Sequence, residues 1–368
     1  MRHLKPSRRR LSLLDPRKMT TIFTLNPLRD PRWPEFLQSH STASVFHTPG
    51  WLEALRRMYG YEPTVFTTAS SGERLQNGIV LCRVKDWLRG CRMVSVPFSD
   101  HCQPLVDSQA NLGLLLRALR QNQEREEWKY IELRPLALWK TGQETQQSFA
   151  QGEEFFFHTL DLRPGLDTIF HNFHKSCVHR KIRRAERENL DYEAGRSDSL
   201  LAKFYHLLLL TRRRHQLPPQ PLAWFRNLAD CLGDQLTIRL ISKDGQPIAS
   251  ILTLSFKNSL VYKYGCSDAS YHNLGGMPLL FWKTIQEAKA VGVQEFDLGR
   301  SEMHNQGLVD FKEHLGAASS RLVYLRIERH LSRSAVKDWK VRFLRRAFSH
   351  MPNPFLKLAG NLFYRYIG

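Results

Sequence analysis

Residues 262–316 read YKYGCSDASYHNLGGMPLLFWKTIQEAKAVGVQEFDLGRSEMHNQGLVDFKEHLG, and this stretch decides how the chain is built. A strand ends near Tyr264, Gly275 and Gly276 sit in a loop, and Pro278 opens a helix that stops before Gly292. Glu295–Leu298 is then a second short strand that runs into a polar loop. Phe281, Thr284, Ile285 and Ala288 fall at i, i+3, i+4 and i+7, so one helix face packs on a sheet while Lys283, Glu287 and Lys289 look outward. A strand, a glycine loop and a helix in that order aim unpaired N–H groups and the positive end of the helix dipole at an anion. A glycine pair also makes a plain tight turn, so the pair alone supports both readings. The polar loop tips the balance: Asp297, Arg300, Ser301, Glu302, His304, Asn305 and Lys312 crowd beyond a strand end, where ligands of α/β sheets sit.

The chain has 368 residues, 42% of them apolar and 11% aromatic, enough for two domains with a core each. No apolar run reaches the length of a membrane span. Residues 1–18 are basic but lack the apolar centre of a signal peptide, and read as a basic tail or as sequence ahead of a true start at Met19. The six cysteines form no CxxC pair, so they read as buried free thiols of a reducing, cytoplasmic protein with no metal site. A net charge of +19 predicts an anionic partner: CoA or nucleotide phosphates, RNA, or the inner face of a membrane.

In chain order, a helix over Trp51–Tyr59, strand runs at 64–68, 78–84 and 93–96, a helix over 112–122 and a strand at Tyr130–Leu133 make a first α/β unit, residues 19–150. A polar linker over 140–152 leads to a second unit, 151–330, which starts with the strand Phe155–Leu162. Ser176–Asn189 is a basic helix with a narrow apolar stripe of Val178, Ile182 and Ala185. Lys175, Arg180, Arg183 and Arg184 are its candidate anion contacts, against the alternative of a solvated face. A helix over 199–215 closes on TRRRH and QLPPQP, and His215 at its end is a minor candidate base. Three strands follow at 236–241, 247–256 and 259–264, with hairpin turns at Asp244-Gly245 and Lys257-Asn258, and Leu322–Ile327 is the last strand. The tail 331–368 mixes bases with apolar residues and reads either as an amphipathic helix on an anionic membrane or as a helix docked on the core.

The set HKSCVHRKIRRAERENL, IASILTLSFKNSLVYKYGCSD, EFDLGRS and GLVDFKEHLG resembles the Fem-like branch of the GNAT acyltransferases. The likeness covers residues 155–328 well and 40–135 more loosely. It implies an α/β (α+β) fold of two tandem GNAT-like domains, with mixed, mostly antiparallel sheets flanked by helices, the first domain being a degenerate copy. It also implies acyl or aminoacyl transfer to an amine or hydroxyl of a cell-envelope or polysaccharide precursor. The donor is then acyl-CoA as co-substrate, with no tightly bound cofactor, or aminoacyl-tRNA. In GNAT enzymes that use acyl-CoA, the pyrophosphate loop carries Gln or Arg, then Gly, then Gly or Ala; here the run is His272-Asn273-Leu274-Gly275-Gly276-Met277, which keeps the first glycine. Tyr264, Gly265, His272, Asn273, Gly275 and Gly276 are accordingly the expected donor contacts, with a carbonyl held by a backbone N–H near Tyr264–Cys266. Asp297, Glu302 and His304 are the expected proton acceptors, Lys312 the cation for a phosphate or oxyanion, and Arg300 and Ser301 further anion contacts. A rival outside enzymes is an RNA-binding or scaffold protein that keeps the fold without activity.

Overall fold

Alternating apolar and polar residues in the strand runs, with leucines at helical spacing between them, place helices on both faces of a sheet. The computed structural model describes residues 22–86, 90–137 and 150–329. The N-terminal extension, residues 138–149 of the linker region and the 331–368 tail lie outside the described residues.

The first unit runs β1 (Phe23–Leu25), α1 (Arg32–Ser39), α2 (Pro49–Tyr59), β2 (Glu62–Thr67), β3 (Ile79–Asp86), β4 (Gly90–Val94), α3 (Gln109–Arg125) and β5 (Tyr130–Leu133). The second runs β6 (Ala150–Asp161), α4 (Leu166–His171), α5 (Arg180–Arg187), β7 (Asp191–Gly195), α6 (Asp198–Arg214), α7 (Leu222–Leu232), β8 (Leu236–Lys243), β9 (Gln246–Phe256), β10 (Ser259–Ser267), α8 (Gly276–Ala290), β11 (Glu295–Glu302), α9 (Gln306–His314) and β12 (Ala318–Glu328). Local signals set these bounds. Thr48 and Pro49 open α2 and a left-handed Gly60 closes it, while Ser108 and Ser197 cap α3 and α6. The β8–β9 turn has φ of 50° at Asp244 and 77° at Gly245, the pair of positive angles that a tight hairpin needs.

One topology occurs twice. Three antiparallel strands, a helix and a parallel fourth strand form β2-β3-β4-α3-β5 and again β8-β9-β10-α8-β11. The two sets join in one twelve-stranded sheet of order β1-β2-β3-β4-β5-β12-β6-β11-β10-β9-β8-β7. The last strand is the joint, because β12 pairs antiparallel with β5 of the first unit and with β6 of the second. The expectation of a separate core in each domain is met only in part, because a core shared between the units is added. One buried cluster draws on α1 and α2, on α6 and α7, and on strands of both units, with Trp51 and Trp224 in edge contact at 5.6 Å. Gly50 makes that approach possible, since a Cβ there would stand 2.5 Å from the Cys231 carbonyl oxygen. A second core lies under α4, α5 and α8, and a third under Leu112, Leu115, Leu116 and Leu119 of α3.

Three segments differ from the sequence reading. Strand β11 does not stop at Leu298 but continues to Glu302, because it stays paired with β6 across a bulge between Asp297 and Gly299. Strand β6 begins at Ala150, inside the segment expected to be linker, since its start pairs with Arg326 and Leu325 of β12. The basic helix enters through a π-helical turn at Lys175–His179, held by the His174 side chain, which accepts the Cys177 N–H at 3.2 Å.

At the joint between the units Glu132 of β5 is buried between Arg134, 2.9 Å away, and Arg326 of β12, 2.8 Å away. Burial works against the Glu132 carboxylate, but the two guanidinium groups outweigh it and hold its pKa below the ordinary value. The resulting stabilisation is present above a glutamate's ordinary pKa of 4.5 and is lost as pH falls through the depressed folded value. Glu132→Gln is expected to cost about 3–5 kcal/mol near neutral pH and to flatten the acid limb of stability, read by denaturant melts from pH 7 down to 3.

Candidate active site

Strands β10 and β11 are parallel neighbours for only three pairs, Ser259↔Glu295, Leu260↔Phe296 and Val261↔Asp297. Beyond them β10 bulges between Tyr262 and Tyr264 while β11, with its own bulge between Asp297 and Gly299, stays on β6, so the two strands part. A cavity of about 490 Å³ opens at this end of β10. The head of α8 forms one wall through Gly276, Met277 and Pro278, the π-helical turn and α5 another through Cys177 and Lys181, and the end of α6 a third through Thr211, Arg214 and His215. Gly307, Asp310, Phe311 and His314 of α9 complete it. The first N–H groups of a helix have no acceptor inside the helix, and those of Gly276 and Met277 therefore offer an anion site beside Lys181 and Arg214.

Gly275 has a left-handed φ of 79°, and a Cβ there would stand 2.3 Å from the Lys181 carbonyl oxygen, so this glycine lets α5 lie against the head of α8. The Tyr262 phenol folds back over Gly265, where a Cβ would meet its oxygen. Burial raises the Tyr262 pKa, which keeps a protonated hydroxyl at the wall. His272 Nε2 is 2.8 Å from Ser267 Oγ. Its pKa is lowered by burial and by Arg214 and Lys181, and that of His215 by burial and by Arg214 and Arg212, so both imidazoles are neutral at pH 7.

Of the expected donor contacts, Gly265, His272 and Gly276 are on this wall. Tyr264 is not: it faces the core shared with the first unit, where its hydroxyl accepts from Trp224 Nε1 at 2.9 Å. Gly275 is spent on helix contact, and Asn273 is exposed away from the wall.

The polar cluster read as catalytic goes elsewhere. Phe296 and Leu298 turn to the core under α8, so Asp297 between them faces the first unit, where its Oδ2 is 2.8 Å from His101 Nε2 and its Oδ1 accepts the Gly299 N–H. That pair borders a separate cavity of about 330 Å³. Glu302 and His304 are exposed and line neither cavity. Lys312, expected to reach a phosphate or oxyanion, is 2% exposed and spends all three protons on the bulged β11 backbone: Gly299 O at 2.9 Å, Arg300 O at 3.0 Å and Ser301 Oγ at 2.9 Å. Ser301 is thereby internal, and Arg300 lies over the Phe155 ring and donates to Tyr324 Oη.

Lys175, Arg180 and Arg183 do form a basic surface, a groove of about 810 Å³ shared with His171, His179 and Arg187, while Arg184 pairs with Glu188. The thiols also divide: Cys82, Cys102 and Cys266 are buried as expected, but Cys91, Cys177 and Cys231 are partly exposed. Asp310 and His314 went unread, although both lie in GLVDFKEHLG at helical i, i+4 spacing, a signal that places them on one face.

Residues 173–313 match the acetyltransferase (GNAT) domain family. No curated protein matches the chain. Among solved structures the fold is similar to that of FemX, with a TM-score of 0.65 at 14% identity over 79% of this chain and 94% of that one. It is also similar to L-PGS from Bacillus licheniformis, with a TM-score of 0.53 at 13% identity over 93% and 98% of the two chains. A tandem GNAT protein from the clavulanic acid biosynthesis pathway gives 0.52 at 10% identity over 85% and 99%. Residues 173–313 of the second unit are thus similar to a GNAT acetyltransferase domain, and the chain shares the fold of these structures. Among the described residues no helix is long and apolar enough to cross a membrane.

Burial lowers the Lys312 pKa to about 8. Between that value and its ordinary 10.5 the unfolded chain binds a proton that the folded chain has lost, so stability rises with pH through this window. Lys312→Met removes that rise and leaves two carbonyls unpaired. The variant should be less stable than the parent by about 1–3 kcal/mol at pH 7, with a gap that widens toward pH 10, measured by paired denaturant melts.

Proposed function

We propose that the protein moves an acyl group from acyl-CoA to an amine or hydroxyl of a cell-envelope or exopolysaccharide precursor, with no tightly bound cofactor. The observation that carries this reading is the head of α8 opening into the cavity where β10 and β11 part. The N–H groups of Gly276 and Met277, with Lys181 and Arg214, suit the donor's phosphates, and the edge of β10 that β11 leaves beyond Val261 suits the acyl carbonyl oxygen. Asp310 takes the proton of the attacking amine or hydroxyl, directly or through water, as the new C–N or C–O bond forms. The C–S bond breaks as the protonated Tyr262 hydroxyl hands its proton to the leaving thiolate. No acyl-enzyme is needed, and burial raises the Cys266 thiol pKa far from nucleophilic range.

A cell-envelope acceptor rests on the Fem-like resemblance, and peripheral contact with an anionic membrane rests on the basic chain ends. The basic groove of Lys175, Arg180, Arg183 and Arg187 is the observation that favours aminoacyl-tRNA as a second donor reading.

A thermal-shift series with acetyl-CoA, longer acyl-CoAs and bulk tRNA, each at low and moderate salt, separates these readings. A CoA ester at a hundredfold excess over its Kd should stabilise the fold by about 2.7 kcal/mol, persist at moderate salt and fade in Lys181→Glu. Stabilisation by tRNA alone overturns the CoA reading. Once an acceptor is found, Tyr262→Phe and Asp310→Asn should each lower kcat by about 10²–10⁴-fold, and full activity in both sinks these assignments.

A further inference from the structure

His174, Cys177 and His314 meet beside the cavity at the head of α8, and their ligand atoms all lie within 4.8 Å of one another. His174 and Cys177 stand at i, i+3 where the chain enters the π-helical turn, and His314 is the last residue of α9. The two segments are tied, because the His174 backbone N–H donates to the His314 carbonyl oxygen at 2.8 Å and the imidazole centroids are 4.4 Å apart. Two imidazoles and a partly exposed thiol held together by backbone bonding are a ligand set, and neither the fold nor the transfer chemistry above uses them as one.

We propose that His174, Cys177 and His314 bind a divalent transition-metal ion of the zinc class, with a fourth position open to the cavity. Tetrahedral zinc with bonds of about 2.0–2.3 Å sets its ligand atoms about 3.4–3.6 Å apart, so closure asks only for side-chain rotation by groups that are not fully buried. Imidazole and thiolate select zinc and its neighbours over magnesium or calcium. Binding releases the Cys177 thiol proton. Ligation through either ring nitrogen of His174 takes the Nδ1 lone pair away from the Cys177 N–H that it accepts at 3.2 Å, so that hydrogen bond opens when the metal binds. The thiolate offsets one of the two metal charges, and Lys181 and Arg214 nearby favour an anion in the fourth position. Cys177 and His314 both line the cavity, so that position faces bound donor. A phosphate or carbonyl oxygen there is the role that rests on the acyl-transfer reading; occupancy of the site does not.

The test is titration of the full-length, metal-stripped protein with Co²⁺ and then Zn²⁺. The expected result is a near-ultraviolet thiolate-to-cobalt band that saturates at one equivalent and is bleached by zinc. Cys177→Ser should abolish the band, and His314→Ala should weaken binding by at least the roughly 10–100-fold that loss of an outer partner costs. His171→Ala, in the neighbouring groove, should leave it unchanged. Absence of a band at one equivalent in the parent, or an equal band in Cys177→Ser, overturns the proposal. A metal-binding protein that ignores every CoA ester keeps this site and loses the donor reading, and the opposite pattern does the reverse.

Discussion

The parting of β10 and β11 is the constraint on which the rest of the second unit depends. A parallel pair would normally continue along the strand, yet here it lasts three residues and ends where β11 bulges against its other partner, β6. A bulge exposes backbone groups, and a buried carbonyl without a donor costs free energy comparable to a lost hydrogen bond. Lys312 answers that cost from α9, with one ammonium donating to two carbonyls of the bulge and to Ser301. The bulge keeps the strands apart, the gap becomes the cavity, and α8 points its free N–H groups into it.

The same bulge couples the two units. Gly299 sits in it with a φ of 72°, and a Cβ there would stand 2.8 Å from Asp100 Oδ2 of the first unit. Burial works against that carboxylate, but Lys263 and Arg300 outweigh it and keep its pKa low. Tyr324 of β12 donates to the Asp100 carbonyl oxygen at 2.7 Å, and Asp297 meets His101 one residue on. Residues 100 and 101 thus bind the first unit to β11, the strand that parts from the β10 wall of the cavity.

Much of the fold was legible. Helix faces such as Phe281, Thr284, Ile285 and Ala288 are buried as their spacing requires, and the strands of the second unit fall at the predicted hairpins. The glycine loop before α8 was also found, because left-handed backbone and close packing leave few residue choices at Gly275. What misled was the density of charge from Asp297 to Lys312. Charged residues gather at active sites, but they also gather where two sheets join and a bulge needs donors, and composition does not separate these cases. Strand alternation does: once Phe296 and Leu298 are assigned to the α8 core, Asp297 must face away from it. The β6–β12 joint was hidden for a different reason, since pairing between residues 150 and 326 is a long-range choice that local propensity does not encode.

Charge needs a similar correction. Segments 1–21 and 330–368 hold fifteen Lys and Arg against two acidic residues, Asp15 and Asp338, so most of the +19 belongs to the chain ends. The cavity is mixed, with Lys181 and Arg214 on one side and Asp310 on another. Phosphates and an attacking amine need opposite fields within a few ångströms, which a uniformly basic pocket cannot supply. The overall basicity therefore describes the chain ends, and the local mixture describes the cavity.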